Sequence, residues 1–150
     1  MHTSAELVVD DATTAELFEH VATLDRYPPW MRLVHRVEPA EPDGGRPAWW
    51  VELRGRIGPF ARSKRLRMVR TLHEPGERVR FERAEYDERD HAAWTLTATV
   101  ADVPGGARVV TDLEYTGSVW IGGALRRVLD DEIRRGRGLL TELVVSGRTR

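Results

Sequence analysis

Residues 121–145, with the sequence IGGALRRVLDDEIRRGRGLLTELVV, contain apolar side chains that recur at intervals of three or four positions. This spacing places the apolar side chains on one side of an α-helix. They are Ile121, Leu125, Val128, Leu129, Leu139, Leu140, Leu143 and Val144. A helix of this length spans about 37 Å at about 1.5 Å per residue. The segment therefore predicts one terminal helix that is long enough to cross a β-sheet.

The sequence between residues 33 and 117 alternates apolar and polar residues, and glycine and proline pairs interrupt it at regular intervals. Alternation with short turns is typical of antiparallel strands joined by hairpins. The predicted strands are 33–39, 48–57, 62–73, 78–86, 92–102 and 107–117.

The first 31 residues predict a strand and two short helices. The apolar run within 6–10 reads as a strand. Thr13 and Glu16 have the spacing of a capping box, which predicts a helix ending near Asp25. The prolines within 27–31 predict the opening of a second short helix.

The composition bounds the class of protein. The chain has 150 residues with 23 basic and 24 acidic side chains, a net charge of -1 and no cysteine. One domain, 1–150, is the natural interpretation, and thiol chemistry is excluded. The balanced charge argues against a nucleic-acid partner, and no segment is apolar enough to span a membrane or to serve as a signal peptide. We therefore expect a cytoplasmic protein, and the near-exclusive use of arginine over lysine suggests a GC-rich bacterial source.

The alternation assigns the two faces of the predicted sheet. Side chains two positions apart, and directly opposed across a hairpin, share a face. Turns at Pro75-Gly76 and at Gly105-Gly106 would place Arg70 opposite Phe81, Leu72 opposite Val79 and Ala98 opposite Leu113. The charged set Arg65, Arg67, Arg80 and Glu82 then lies on the outer face. The inner face is mainly apolar, with the polar groups Arg70, Arg83, Glu85, Thr111 and Tyr115.

The order strand, two short helices, six strands and long helix resembles the helix-grip fold of the START/Bet v1-like superfamily, specifically its polyketide cyclase/dehydrase-like (SRPBCC) branch. Further cues are the aromatic and proline residues within 24–30, and Gly117 before the terminal helix. The resemblance implies an α+β domain in which a curved antiparallel sheet of about seven strands surrounds the terminal helix.

The inner-face assignment predicts an enclosed cavity of a few hundred Å³ between sheet and helix, typical of small-molecule sites. Gly136 lies within the terminal helix, where glycine usually marks a close approach or leaves room for something else. Glu132, on the helix stripe, is a candidate partner for an inner-face arginine. The predicted ligand-binding residues are Trp49, Val51, Leu53, Met68, Arg70, Phe81, Arg83, Trp94, Leu96, Thr111, Leu113, Tyr115, Leu129, Glu132 and Gly136.

Three functions stay open at this stage. The first is binding of a small hydrophobic or aromatic, partly oxygenated molecule. The second is an aromatase/cyclase or dehydratase, since the resemblance implies that an inward arginine such as Arg70 polarises substrate oxygens. The third is a protein-interaction or regulatory role of the toxin–antitoxin kind. The five histidines lack metal-binding spacing, so neither a metal nor another cofactor is predicted, and both a monomer and a homodimer are compatible with the sequence.

Overall fold

The computed structural model describes residues 2–57, 60–85, 87, 93–116 and 123–148. The chain begins with strand β1 (His2–Asp10), helix α1 (Thr14–Val21) and a 3-10 helix (Leu24–Arg26), and ends with helix α2 (Gly123–Arg148). Between them lie six strands: β2 (Val34–Asp43), β3 (Arg46–Ile57), β4 (Phe60–Glu74), β5 (Arg78–Arg83), β6 (Trp94–Val103) and β7 (Gly106–Tyr115).

The seven strands form one curved antiparallel sheet in the order β1-β7-β6-β5-β4-β3-β2. Strands β2 to β7 are neighbours in sequence order, and β1 pairs with β7. Helix α2 is a single helix that contacts β1, β3 and α1 and buries Leu140 and Val144 in the core. The predicted helix-grip architecture is confirmed.

The short helices differ in two respects from the prediction: α1 ends at Val21 rather than near Asp25, and the second helix lies elsewhere. Helix α1 begins at the predicted capping box, in which the Glu16 amide donates to the Thr13 hydroxyl and the Thr13 amide donates to the Glu16 carboxylate, each over 3.1 Å. The second helix was predicted at the prolines of 27–31, but it is the 3-10 helix that precedes them. The segment after it forms turns, because a proline removes a backbone donor and cannot continue a helix.

Strand registers agree with the predicted faces, with one local exception. Arg70 opposes Phe81 as predicted, but an irregularity between Arg70 and Leu72 places Leu72 opposite Arg80 rather than Val79. A β-bulge of this kind adds one residue to a strand and inverts the facing pattern beyond it.

The last hairpin turns one residue earlier than predicted, because Pro104 and Gly105 rather than Gly105 and Gly106 connect its strands. Each β7 partner is therefore displaced by two positions, and Ala98 opposes Thr111 instead of Leu113. A displacement of two leaves every side chain on its predicted face.

Arg67 lies on the predicted outer face but is not solvated there. Its side chain is 7% exposed, not solvated like that of Arg65. The guanidinium donates to the carbonyl oxygens of Glu41 (2.6 Å) and Ala84 (3.0 Å). Backbone carbonyls beside the sheet thus replace the water that an exposed arginine would bind.

None of the described helices is long and apolar enough to cross a membrane.

Candidate functional site

A cavity of about 60 Å³ lies on the concave face of the sheet. It is smaller than the predicted few hundred Å³, and Leu24, Met31 and Leu33 from the segment after α1 form part of its lining. The described residues that line it are Ala5, Leu24, Met31, Leu33, Val34, Val51, Leu53, Leu66, Met68, Trp94, Leu96, Thr111 and Leu113.

Strand alternation located much of this lining. Seven of the predicted site residues face the cavity: Val51, Leu53, Met68, Trp94, Leu96, Thr111 and Leu113. Alternation also places Leu66 on the inner face. The other lining residues were missed: Ala5 on the edge strand β1, Leu24, Met31 and Leu33 in the helix and turns after α1, and Val34 at the start of β2. Period-two patterns do not predict where a turn segment packs.

Two polar groups stand out in this apolar lining. Thr111 is 7% exposed and carries a hydroxyl. Trp94 is 3% exposed and stacks on Tyr115, with 4.9 Å between ring centroids and 25° between planes. The Trp94 indole Nε1–H is buried and finds no acceptor among the described residues. A buried donor without a partner costs roughly 1–3 kcal/mol.

Trp49 and Phe81, two predicted ligand contacts, are outside the described cavity lining and belong to an aromatic cluster. Their rings meet edge to face with 5.6 Å between centroids, and Phe81 also contacts Tyr27 at 6.0 Å. Tyr27 in turn lies 4.9 Å from Trp30. All four side chains are buried. The aromatic residues of segment 24–30 therefore occupy the part of the concave face beside Trp49 and Phe81.

The same segment supplies hydrogen-bond donors to the end of α1. The Trp30 indole donates to the carbonyl of His20 over 3.1 Å, and the Tyr27 hydroxyl donates to that of Val21 over 3.0 Å. The last carbonyls of a helix lack partners within the helix and need such donors. Burial raises the pKa of Tyr27, which keeps its hydroxyl protonated as a donor.

Arg70 is a third side chain that donates a hydrogen bond to the end of α1. Its guanidinium donates to the carbonyl of Ala22, the residue that ends α1, over 2.9 Å. Burial lowers the pKa of Arg70. The structure thus places Arg70 at the end of α1, outside the described cavity lining.

Arg83 is held in an ion pair. Its Nε lies 2.7 Å from Oε1 of Glu85, and the two side chains are 6% and 9% exposed. Glu85 also accepts from the Arg67 backbone amide over 3.3 Å. Lys64 lies close to this pair. Partial burial and the positive charge of Arg83 lower the pKa of Lys64, while Glu85 opposes that shift.

The remaining predicted site residues are on α2 and β7. Tyr115 stacks beneath Trp94 and is not in the described lining. Gly136 packs against the backbone of Trp30, which is the close approach that glycine permits. The side chains of Leu129 and Glu132 lie outside the described residues. Among the side chains that are described, no group of three His, Asp or Glu is arranged to hold a metal.

Comparisons with known proteins agree with this geometry. The profile of the family described as "Polyketide cyclase / dehydrase and lipid transport" matches residues 1–144. No curated protein matches the chain.

Solved structures share the fold at low sequence identity. The di-domain ARO/CYC StfQ of the steffimycin biosynthetic pathway is 14% identical over 99% of this chain, with a TM-score of 0.68. This chain spans only 52% of the StfQ chain. TTHA0849 of Thermus thermophilus is 21% identical, with 98% and 99% of the two chains covered and a TM-score of 0.68. A START superfamily protein of Mycobacterium smegmatis is 14% identical, with 97% of each chain covered and a TM-score of 0.68.

These likenesses agree with the predicted superfamily and, at this identity, concern the fold alone. The family profile covers nearly the whole chain and supports a hydrophobic ligand-binding or polyketide cyclase role. The chain therefore belongs to the polyketide cyclase/dehydrase and lipid transport family.

Proposed function

We propose that the protein binds a small hydrophobic molecule whose apolar part occupies the cavity on the concave face. The observation that carries this proposal is the lining itself, in which every described residue except Thr111 has an apolar or aromatic side chain. Apolar cavities bind apolar molecules because the transfer removes hydrocarbon surface from water.

The size of the cavity limits the ligand. A volume of about 60 Å³ has room for about four to six water molecules, at roughly 10–15 Å³ each. This is comparable to one hexyl chain or one benzene ring. A larger ligand requires side chains such as Met31 or Met68 to move, and methionine adapts readily because its chain is unbranched.

A polyketide cyclase is less well supported by the described lining. General acid–base or electrostatic catalysis needs ionisable or strongly polar groups within reach of the reacting atoms. The described lining holds no ionisable side chain, and Arg70 and Arg83 bind Ala22 and Glu85.

The proposal is tested with 1-hexanol as probe and two matched substitutions, Val51→Phe and Val100→Phe. Both valines are buried, but only Val51 lines the cavity. We expect saturable binding of hexanol to the unmodified protein, followed by NMR chemical-shift titration. Val51→Phe should abolish this binding because the ring fills the cavity. Val100→Phe should keep it and should lower the melting temperature, because overpacking a filled core costs roughly 1–3 kcal/mol. Equal hexanol affinity in Val51→Phe and the unmodified protein would reject the cavity as the binding site.

A further inference from the structure

Lys64, the only lysine of the chain, is positioned beside the cavity. Lys64, on β4, is directly opposite Leu53 of β3, and Leu53 lines the cavity. Leu66 and Met68 follow at two-residue intervals on β4, and both line the cavity. Opposed residues and residues two apart share a face of the sheet. Lys64 therefore lies on the same inner face of β4, two residues before Leu66.

The described part of the chain offers no ion-pair partner to the Lys64 ammonium. The nearby Arg83 and Glu85 form their own buried ion pair at 2.7 Å. No described carboxylate lies within ion-pair distance of the Lys64 ammonium. The charge that is available to a ligand is that of Lys64 itself, because Arg83 and Glu85 also interact with other groups. Partial burial strengthens the attraction of that charge for an anion, because the effective dielectric is lower than in water.

We propose that Lys64 binds the carboxylate of an amphipathic acid whose apolar part occupies the cavity. The inference rests on the proposed function, and it adds the chemical class of the ligand: a short-chain or single-ring carboxylic acid. The ammonium supplies a charge-assisted hydrogen bond, which is stronger than a bond between neutral groups. The pKa shift of Lys64 fits a cation that is partly desolvated and lies beside Arg83. A bound carboxylate would oppose that shift.

Hexanoate and 1-hexanol test this proposal as a pair of probes with the same apolar chain. NMR titrations compare the unmodified protein with Lys64→Met, which keeps the length of the side chain and removes its charge. We expect the Kd of hexanoate to rise by about tenfold or more, as loss of a charge-assisted bond implies. The Kd of hexanol should change by less than about twofold.

Arg65→Met is the matched control, because it removes one positive charge from the adjacent residue on the opposite face. Arg65 is exposed and lies over the ring of Trp50 at 4.5 Å. This variant should leave the affinity for both probes unchanged. Unchanged hexanoate affinity in Lys64→Met, with hexanol still bound, would overturn the role of Lys64 and leave the cavity proposal intact. Failure of both probes to bind the unmodified protein would overturn both proposals.

A second measurement requires no variant. Acetylation by an N-hydroxysuccinimide ester has one lysine target in this chain, and mass spectrometry separates it from the N-terminal amine. Saturating hexanoate should slow acetylation of Lys64 several-fold relative to the N-terminal amine, whereas hexanol should not. Equal rates with and without hexanoate would contradict the proposal.

Discussion

Gly136 of α2 lies against the backbone of Trp30 so closely that a Cβ at this position would be 2.7 Å from the Trp30 carbonyl oxygen. Trp30 itself is 1% exposed and donates its indole N–H to α1. The long helix therefore rests on the turn that holds the end of the first helix. The absence of a side chain at residue 136 sets how closely the two can approach.

Gly136→Ala and Gly138→Ala should change stability in opposite directions. The Trp30 oxygen belongs to the backbone and cannot turn away, so the new methyl group strains the contact, and overpacking of this kind costs roughly 1–3 kcal/mol. Gly138 is on the same helix and has no described atom within 4 Å of an added Cβ. Alanine there should raise the free energy of unfolding by up to about 1 kcal/mol, from helix propensity alone. Urea denaturation measures both values. If Gly136→Ala instead raised the free energy of unfolding, α2 would be able to move away from Trp30 without loss of stability.

Acid should weaken the ion pair between Arg148, at the end of α2, and Glu16, in the first turn of α1. Arg148 binds Glu16 through two hydrogen bonds, Nε to Oε2 at 2.6 Å and Nη2 to Oε1 at 2.9 Å, and also donates to the carbonyl of Asp11. The Arg148 hydrogen bond lowers the pKa of Glu16 from 4.5 to about 2. Because the folded-state pKa is the lower one, the unfolded chain binds more protons between these values, and stability falls as the pH falls through that range.

Glu16→Gln tests this dependence. The variant cannot titrate at residue 16 but keeps an oxygen that can accept from the Thr13 amide. Its unfolding free energy, measured by urea denaturation between about pH 2.5 and pH 6, should depend less steeply on pH than that of the unmodified protein. Parallel curves for the two proteins would mean that Glu16 does not contribute to the acid transition.

Arg70→Met should reduce the free energy of unfolding and should raise the pKa of His73. Replacing a buried arginine that has no partner by methionine would stabilise the folded protein. Arg70, however, donates to the Ala22 carbonyl. A hydrogen bond to a charged group contributes roughly 1.5–3 kcal/mol to stability, and this contribution would be lost. His73 stacks on Phe18, and burial together with the charge of Arg70 lowers the pKa of His73. Removing that charge should move the pKa of His73 upward.

NMR titration of the histidine rings measures this shift, and His20 provides the control. Burial and then Arg26, rather than Arg70, lower the pKa of His20. Its pKa should therefore stay in place in Arg70→Met. An equal shift of both histidines would indicate a general rearrangement instead of the loss of one charge.

The sequence predicted the sheet, the terminal helix and the inner face because these depend on repeating patterns. Even the two-position error in the last hairpin left Thr111 and Leu113 on the correct face, since side chains alternate with a period of two. The bulge after Arg70 lies beyond such reasoning, because one extra residue in a strand has no periodic signal.

Contacts between separate elements could not be predicted in the same way. Segment 24–30 is recognisable by its aromatic and proline residues, but its packing on Phe81 and Trp49 depends on where the turn folds back. The role of Arg70 follows from that packing, since its acceptor is the carbonyl of a residue 48 positions away. Leu24 and Met31 enter the cavity for the same reason.

The Arg83–Glu85 pair should show strong energetic coupling. Removing one member of a buried pair leaves an uncompensated charge and costs roughly 3–5 kcal/mol, whereas replacing both by apolar residues is often neutral. Glu85→Met should therefore lower the free energy of unfolding by about 3 kcal/mol, and Arg83→Met by a comparable amount. The double variant should lose much less than the sum of the two.

Urea denaturation of the four proteins at neutral pH gives the coupling energy as the departure from additivity. The exposed pair Arg36–Glu38, with 2.6 Å between Nη2 and Oε1, is the matched control because its side chains are 67% and 46% exposed. Exposed pairs contribute little, so the corresponding methionine cycle should show a coupling of less than about 1 kcal/mol. Additive losses at Arg83 and Glu85 would mean that their 2.7 Å contact contributes no coupling, and that each charge is stabilised by other groups.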